Sequence, residues 1–470
     1  MAWWNRKKPD TEIKKRRYEA GSSAKRMQGW NTPNSDANMA AWSLPKIRNR
    51  SRDLVRNNAH AARIVQCIAS HTVGYGIVGT VKNNDALENA WKKWSESTEC
   101  DASGRHDFYG LQRLIMRCVV ESGECLIRIR PRFFSDGLTV PMQLQVLEPD
   151  YLDDTKNQSL ANGGAIISGI ELDGIGRTVA YWIHNRHPGA NFGLTFTSSR
   201  VDASQVIHVM REDRAGQLRG IPWLSPIMVK LRDLDEFQDG TLMRQKIANM
   251  FAGFVYDETP YDAINDIADG LSDASDDLPD LQPGTVFALK NGRKIEFSEP
   301  PKPDSGEYVR ETLRDIAVGV GITYEELTGD MSQVNFSSAR MGFNAMLRNV
   351  DQWQWNILIP IFCEQIAAAF INSANQIGIN TRNAQFEWTP PARTLVDPTR
   401  EIPAILKAIR GGLMSLPEAL RAQGYNPRKV LNEYAESNQL LDELKLTLDS
   451  DPRVDLLKKQ GMQNDTTQTQ

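Results

Sequence analysis

The sequence predicts a multidomain α+β protein, on three observations. Up to Met210, apolar residues at helical spacing alternate with period-two stretches rich in Val, Ile and Tyr. Between Ile227 and Val320, two helical segments flank an insert that carries strand signals at both ends. Beyond Ser338, a long apolar helical run is followed by one strand and several short helices. At 470 residues the chain is too long for one ordinary core, since domains run to about 100–200 residues.

The chain opens on a basic arm, with nine Lys or Arg between positions 1 and 26 against Asp10, Glu12 and Glu19 and few core-forming residues. Such a composition predicts a flexible segment, either a solvated tail or a contact for nucleic acid or an acidic partner. Order is expected from Leu44. In RSRDLVRNNAHAARIVQCIASHTVGYGI, Leu54, Ala61, Ile64, Val65 and Ile68 recur at helical spacing until Gly74 and Gly76 end the element. DFYGLQRLIMRCVVES reads as a second helix with Leu111, Leu114, Ile115, Cys118 and Val119 on one face. ECLIRIR then changes to the alternation of a strand. QLQVLEP, SGIELDGIGRTVAYWIH and SQVIHVM are further strands, with Asp173-Gly174 marking a hairpin turn.

RAGQLRGIPWLSP is a Gly/Pro-punctuated connection to a helix from Ile227 to about Met250. Its apolar stripe of Ile227, Leu231 and Leu234 thins to Thr241, Gln245 and Ala248. Arg232, Asp233, Asp235, Glu236, Asp239 and Arg244 add charge outside it. A helix with so little apolar face is poorly held by its own subunit and better explained by packing beside copies of itself. The insert beyond it is bounded by FAGFVY and GTVFALKNGRKIEF, the latter with Asn291-Gly292 as a hairpin signal. Phe251, Phe254, Tyr256 and Phe287 read as its core or subunit packing. Its middle, YDAINDIADGLSDASDDLPDLQPG, holds seven Asp and no Lys or Arg. The spacing matches no EF-hand loop, so a solvated acidic surface is favoured over a calcium site.

A second helix is predicted from Ser305 to Val320. LTGDMSQVNFSSARMGF then interrupts the helical pattern with a Gly-Asp turn and a polar run. After it, Phe343, Met346, Val350, Trp353 and Ile357 mark a long core helix that Pro360 should kink or break. FEWTPPARTLVDP is a strand and exit loop. Short helices extend through Leu446, one opened by Leu416-Pro417-Glu418, and GMQNDTTQTQ ends the chain as a polar tail.

Chemistry leaves few marks. No G-x-x-x-x-G-K-[ST] phosphate loop and no G-x-S-x-G elbow are present, and Ser337-Ser338 has no local His as base. Cys67, Cys100, Cys118, Cys125 and Cys363 lack C-x-x-C spacing, which predicts free thiols in a reducing compartment. His184 and His187 are neighbours in sequence but face opposite sides of a strand end, which argues against joint ligation. The adjacent carboxylates Asp153-Asp154 and Glu325-Glu326 are weak evidence for a two-metal nuclease. Neither catalytic, metal-ligating nor cofactor-binding residues are predicted. With no uninterrupted apolar run of about 18 residues and no apolar stretch after the basic N-terminus, neither a membrane span nor a signal peptide is expected. The net charge of −4 excludes a global electrostatic clamp on nucleic acid, so any such contact must be local.

RSRDLVRNN (Arg50 to Asn58), RGIPWLSP (Arg219 to Pro226) and LTGDMSQVNFSSAR (Leu327 to Arg340), in this order around a helix–module–helix insertion, resemble tailed-phage portal proteins of the lambda type. The resemblance spans about Leu44 to Tyr434. It implies a portal fold with an α/β wing, a two-helix stem, a small α/β clip between the stem helices and a helical crown. Carried onto this chain it gives a flexible basic arm (1–43), wing (44–225), stem helices (226–252 and 304–321) and clip (253–303). The tunnel-loop region (322–338), the wing's long kinked helix and strand (339–398), crown helices (399–446) and a polar tail (447–470) complete it.

The resemblance further implies a homo-oligomeric ring, dodecameric in the particle, at one capsid vertex of the virion and in the host cytoplasm during assembly. Double-stranded DNA would be packaged through it by a separate large terminase subunit and later ejected. A head-completion or tail adaptor and the major capsid and scaffolding proteins would be its other partners, with no membrane and no cofactor. Tunnel-loop residues would be Gln333, Asn335, Phe336 and Ser337. The first, second and last of these would make brief neutral contacts with phosphate while Phe336 packs the loop against its neighbour; the simpler reading is that all serve only the turn and helix cap. Asp233, Glu236 and Asp239 would line the channel, and Asp273, Asp276 and Asp277 would face partners from the clip. The alternatives are a nucleic-acid-processing enzyme whose carboxylates assemble only in the fold, or another head–tail structural protein.

Overall fold

The computed structural model describes residues 34–38, 42–190, 197–249, 253–257, 293–297, 305–393, 397–446 and 448. The chain starts on two helices, α1 (Leu44–Asn57) and α2 (Ala59–Val73), where the sequence predicts one. Asn58 makes the break. Its backbone is extended (φ −112°, ψ 122°), and its side chain accepts a hydrogen bond from the Ala61 amide as the N-cap of α2. Strand β1 (Val78–Lys82) and helix α3 (Asp85–Ser95) come next, then α4 (Phe108–Ser122), β2 (Glu124–Pro131), β3 (Met142–Leu147), β4 (Gln158–Ser159), β5 (Ala165–Ile167), β6 (Ile170–Leu172), β7 (Thr178–His184), β8 (Ser198–Asp202) and β9 (Val206–Met210).

The α4 face departs from the predicted one at Leu114. Leu111, Ile115 and Val119 are buried as predicted, together with Phe108, Gln112, Met116 and Val120; Leu114 is exposed, and Cys118 is half-buried, its Sγ donating to the Glu124 carbonyl of β2 at 3.3 Å. The hairpin between β6 and β7 forms as predicted, but Gly176, not Gly174, takes the left-handed conformation (φ +86°). The Asp173 carboxylate closes the turn on the Ile175 and Arg177 amides.

The sheets are antiparallel. One has the order β3-β2-β9, another β4-β5-β6-β7-β8, and β1 pairs with β12 (Gln385–Thr389) from near the other end of the chain. β2 serves two cores by alternation. Cys125 and Ile127 face the large helical core, while Leu126 joins Leu147, Leu152, Ile170, Tyr181, Ile183, Val201 and Val206 in a smaller one between the sheets. The large core centres on α3, an element the sequence analysis does not assign. Trp91 and Trp94 are fully buried and donate their indole N–H groups to the Gly79 and Met142 carbonyls at 2.9 Å. Phe108, Phe370 and Trp388 surround Trp91 at centroid distances of 5.0–5.9 Å.

Beyond the connection come α5 (Met228–Asn249), the paired strands β10 (Gly253–Asp257) and β11 (Arg293–Phe297), and α6 (Ser305–Val320). The β10–β11 ladder joins the two ends of the insert; the predicted Asn291-Gly292 hairpin and Asp-rich stretch lie outside the described residues. A short helix, α7 (Tyr324–Thr328), precedes α8 (Phe336–Trp353). Pro360 does not break the long helix. A π-helical stretch, Gln354–Cys363, carries the chain past it into α9 (Glu364–Gln376). Proline lacks an N–H and its ring crowds the carbonyl four residues back, and the wider π turn accommodates both. Ser337–Gln376 is long and apolar enough to cross a membrane by length and composition, but half of its most apolar window is buried within this fold. Helices α10 (Pro398–Arg410), α11 (Leu416–Ala422) and α12 (Pro427–Glu443) complete the described chain.

Candidate functional site

Two of the three sequence stretches singled out above, RSRDLVRNN and RGIPWLSP, meet around one joint. Glu124, at the start of β2, is 1% exposed. Its Oε1 accepts from Arg48 at 3.1 Å and from Arg219 Nε and Nη2 at 2.9 and 2.6 Å. Its Oε2 lies 2.7 Å from the Gly220 amide and 2.9 Å from His208 Nε2. Burial alone would raise this carboxyl's pKa; the Arg219 charge, the His208 bond and the Arg48 charge outweigh it and hold the group well below the ordinary carboxylate range. RGIPWLSP is therefore no passive linker. Gly220 passes so close to Gly123 that a Cβ on it would sit 2.2 Å from the Gly123 carbonyl oxygen. Trp223, next along, is buried against Trp353 of the long helix at 5.2 Å.

RSRDLVRNN packs on the same joint. Arg52 reaches Asp150 at 2.6 Å and Ser122 at 3.1 Å, and Ser51 donates to the Glu121 carbonyl at 2.5 Å. Asn58 donates to both carboxylate oxygens of Asp235 on α5 at 2.8 and 2.9 Å. Asp235 is thus turned toward the start of α2 instead of adding free charge to the helix surface. Part of the segment expected as a flexible arm is described. Residues 35–38 are anchored, with Asn38 bonded to the Leu218 amide and Gly216 carbonyl and Arg214 donating to the Ser35 and Asp36 carbonyls.

Helices α5 and α6 run antiparallel, as the contacts show. Gly319 abuts Ile227, Lys230 pairs with Asp315 at 2.7 Å, and Phe237 meets Tyr308 at a centroid distance of 4.6 Å. Burial is confined to the base. Leu231 and Leu234 are fully buried, whereas Leu242 and Met243 are half exposed or more, and Val229 and Val318 are 70% and 79% exposed. Asp233, Glu236 and Asp239 are exposed, with Glu236 paired to Arg232 at 2.9 Å. Asp273, Asp276 and Asp277 lie outside the described residues.

The polar loop begins where Gly329 (φ +73°) caps α7 in the left-handed conformation. Asp330 organises the next turn, accepting from the Ser332 amide at 2.9 Å. The side-chain and backbone bonds of Ser332 hold its carboxyl below the usual range. The cap of α8 is Asn335, whose Oδ1 accepts from the Ser338 amide at 2.8 Å. Asn335 is exposed. Gln333 and Ser337 are exposed, and the Phe336 side chain lies outside the described residues.

The two carboxylate pairs do not converge. Asp153 accepts from the hydroxyls of Thr155 and Ser198 at 2.6 and 2.5 Å, while Glu326 faces Arg63, Cys67 and His71 on α2.

Comparison with known proteins agrees with the sequence motifs. The family described as phage portal protein, lambda family, matches residues 23–354. The probable portal protein of Halomonas phage phiHAP-1 is 24% identical over 83% of this chain and 79% of its own. The portal protein of Escherichia phage N15 is 23% identical over 72% of each. Among solved structures, a chain of the native gene transfer agent virion aligns with 82% of this chain and 93% of its own, at 15% identity and a TM-score of 0.48. With a family match covering well over half of its length, the chain belongs to the lambda family of phage portal proteins.

Proposed function

We propose that copies of this chain assemble into a ring at one vertex of the phage head, through which duplex DNA enters during packaging and later leaves. The observation that carries this reading is the α5–α6 pair, a projecting hairpin buried only at its base and exposing Val229, Leu242, Met243 and Val318. Neighbouring copies in a closed ring would cover such side chains. Helices α10 and α12 support the same reading, since Ile402, Leu406, Tyr434 and Leu440 are each about half exposed. In this arrangement α5 and α6 form the stem, the β10–β11 module the clip, and α10–α12 the crown.

Asp233 and Asp239 would line the channel with like charge to phosphate. That suits passage, because a protein neutralising many phosphates holds DNA in place. Glu236 contributes less, its charge being offset by Arg232. Gln333, Asn335 and Ser337 would touch passing DNA from a loop with no Lys or Arg between Asp330 and Ala339. The clip, with Asp273, Asp276 and Asp277, would dock the terminase during packaging and an adaptor afterwards, and a dodecamer would be the form in the particle. The motor is assigned to a separate chain, consistent with the absence of a phosphate-binding loop from this sequence.

The test is Gln333→Ala in a packaging assay. Rings should form as in the parent, and DNA packaging or retention should change. Unchanged packaging and retention would remove the contact role from Gln333.

A further inference from the structure

A cluster of reactive side chains lies where α7 meets α2, and none of the roles above uses it. Cys67 and His71 are four residues apart on α2, so both project from one helix face. Glu326, from α7, comes down on that face. Its Oε2 lies 3.3 Å from His71 Nε2 and 3.7 Å from Cys67 Sγ, and the three candidate ligand atoms all fall within 4.8 Å of one another.

The 3.3 and 3.7 Å separations are close to those a metal ion requires. Zinc binds sulfur at about 2.3 Å and nitrogen or oxygen at about 2.0–2.2 Å in a tetrahedron, whose edges then measure about 3.3–3.6 Å. The donor set is equally selective. One thiolate, one imidazole and one carboxylate suit a borderline-soft divalent ion of the zinc class and not the hard cations, which take oxygen ligands alone.

We propose that Cys67, His71 and Glu326 bind a zinc-class divalent ion that fastens α7, and with it the base of the polar loop, to the wing helix α2. His71 and Glu326 are 27% and 24% exposed, so solvent can supply a fourth ligand. Binding forms the metal–sulfur bond and breaks S–H, releasing the Cys67 proton to solvent. Arg63 need not be left unpaired, because its Nε already donates to the Glu326 backbone carbonyl at 2.9 Å. The His71 ring is steadied by an edge contact with Phe343, at a centroid distance of 5.9 Å. A five-residue helix such as α7 is too short to hold its own shape, so an anchor at Glu326 acts where intrinsic helicity cannot.

This site does not depend on the channel reading and is tested apart from it. Full-length protein, kept reduced, stripped with a chelator and titrated with Co2+, should bind one ion per chain. A thiolate-to-cobalt charge-transfer band and the intense visible bands of a tetrahedral site should appear, and Zn2+ should bleach both. Cys67→Ser should abolish the charge-transfer band. His71→Asn and Glu326→Gln, both at partly exposed positions, should fold as judged by circular dichroism and bind Co2+ at least about tenfold more weakly. They decide the matter even if the buried Cys67 variant fails to fold. Absence of a charge-transfer band from the folded parent, or unchanged affinity in both partly exposed variants, would overturn the site.

Discussion

Glu124 sits with two arginines and a histidine in a space closed to water, and that setting determines what its loss would do. Glu124→Gln keeps the shape but leaves Arg48 and Arg219 without their shared anion. Breaking a buried pair from one side costs about 3–5 kcal/mol, so a fall of this order in unfolding free energy is expected by urea denaturation. The same group sets an acid dependence. Glu124 and Asp150 both have folded-state pKa values below their unfolded ones; at Asp150 burial is outweighed by the Arg48 charge and the Arg52 bond. Their contribution is therefore fully present above the ordinary carboxylate range, near about pH 4, and is lost progressively as pH falls from there toward their lower folded-state values. Urea midpoints measured across that range should drop steeply for the parent and less steeply for Glu124→Gln. None of this was legible in the sequence, where Glu124 is simply the first letter of ECLIRIR. Its partners lie 76, 84 and 95 residues away, and no local pattern reports such a meeting.

Elements were legible in proportion to how local their causes are. The bounds of α6 are those read from the sequence, and α5 starts one residue later than expected and is helical to Asn249, the last described residue there. On α4 only Leu114 departs from the predicted face: it shares the helical spacing of Leu111, Ile115 and Val119 but is exposed, because tertiary packing and not spacing sets the width of the buried face. Helix α3 was legible although unassigned, since Leu87, Ala90, Trp91 and Trp94 carry the full helical pattern behind the Asn84 cap. Asn335 looks like a loop residue in the sequence and is the cap of α8 in the structure. Asn335→Ala should cost about 1 kcal/mol of stability and fray the first turn of α8, seen as faster amide exchange there. Asn335→Asp keeps the cap and should be near the parent. Gly220→Ala has a different expected outcome, since its new Cβ would meet the Gly123 backbone, with no flexible side-chain end to move aside. A loss of at least about 2 kcal/mol is expected in thermal or urea unfolding, because overpacking against backbone forces main-chain shifts.

At the scale of the whole molecule, family membership was visible from three short motifs, and the structure explains why they belong together. RSRDLVRNN and RGIPWLSP close on the joint around Glu124 and the base of α5, while the loop motif enters and leaves through α7 and α8, which pack on α2. What a single chain leaves unsatisfied then becomes the main evidence for its assembly. The exposed apolar side chains of α5, α6, α10 and α12 form no core of their own. Replacing Val229 and Val318 together with Lys should leave the monomer's unfolding transition within about 0.5 kcal/mol, as exposed positions do, while reducing the assembled fraction in sedimentation. The most direct test of the proposed channel is negative-stain imaging of the purified protein combined with a mass measurement. Closed rings with a central opening wide enough for a B-form duplex are expected. A stable monomer at high concentration, with no rings even in the presence of scaffolding or capsid protein, would contradict the account.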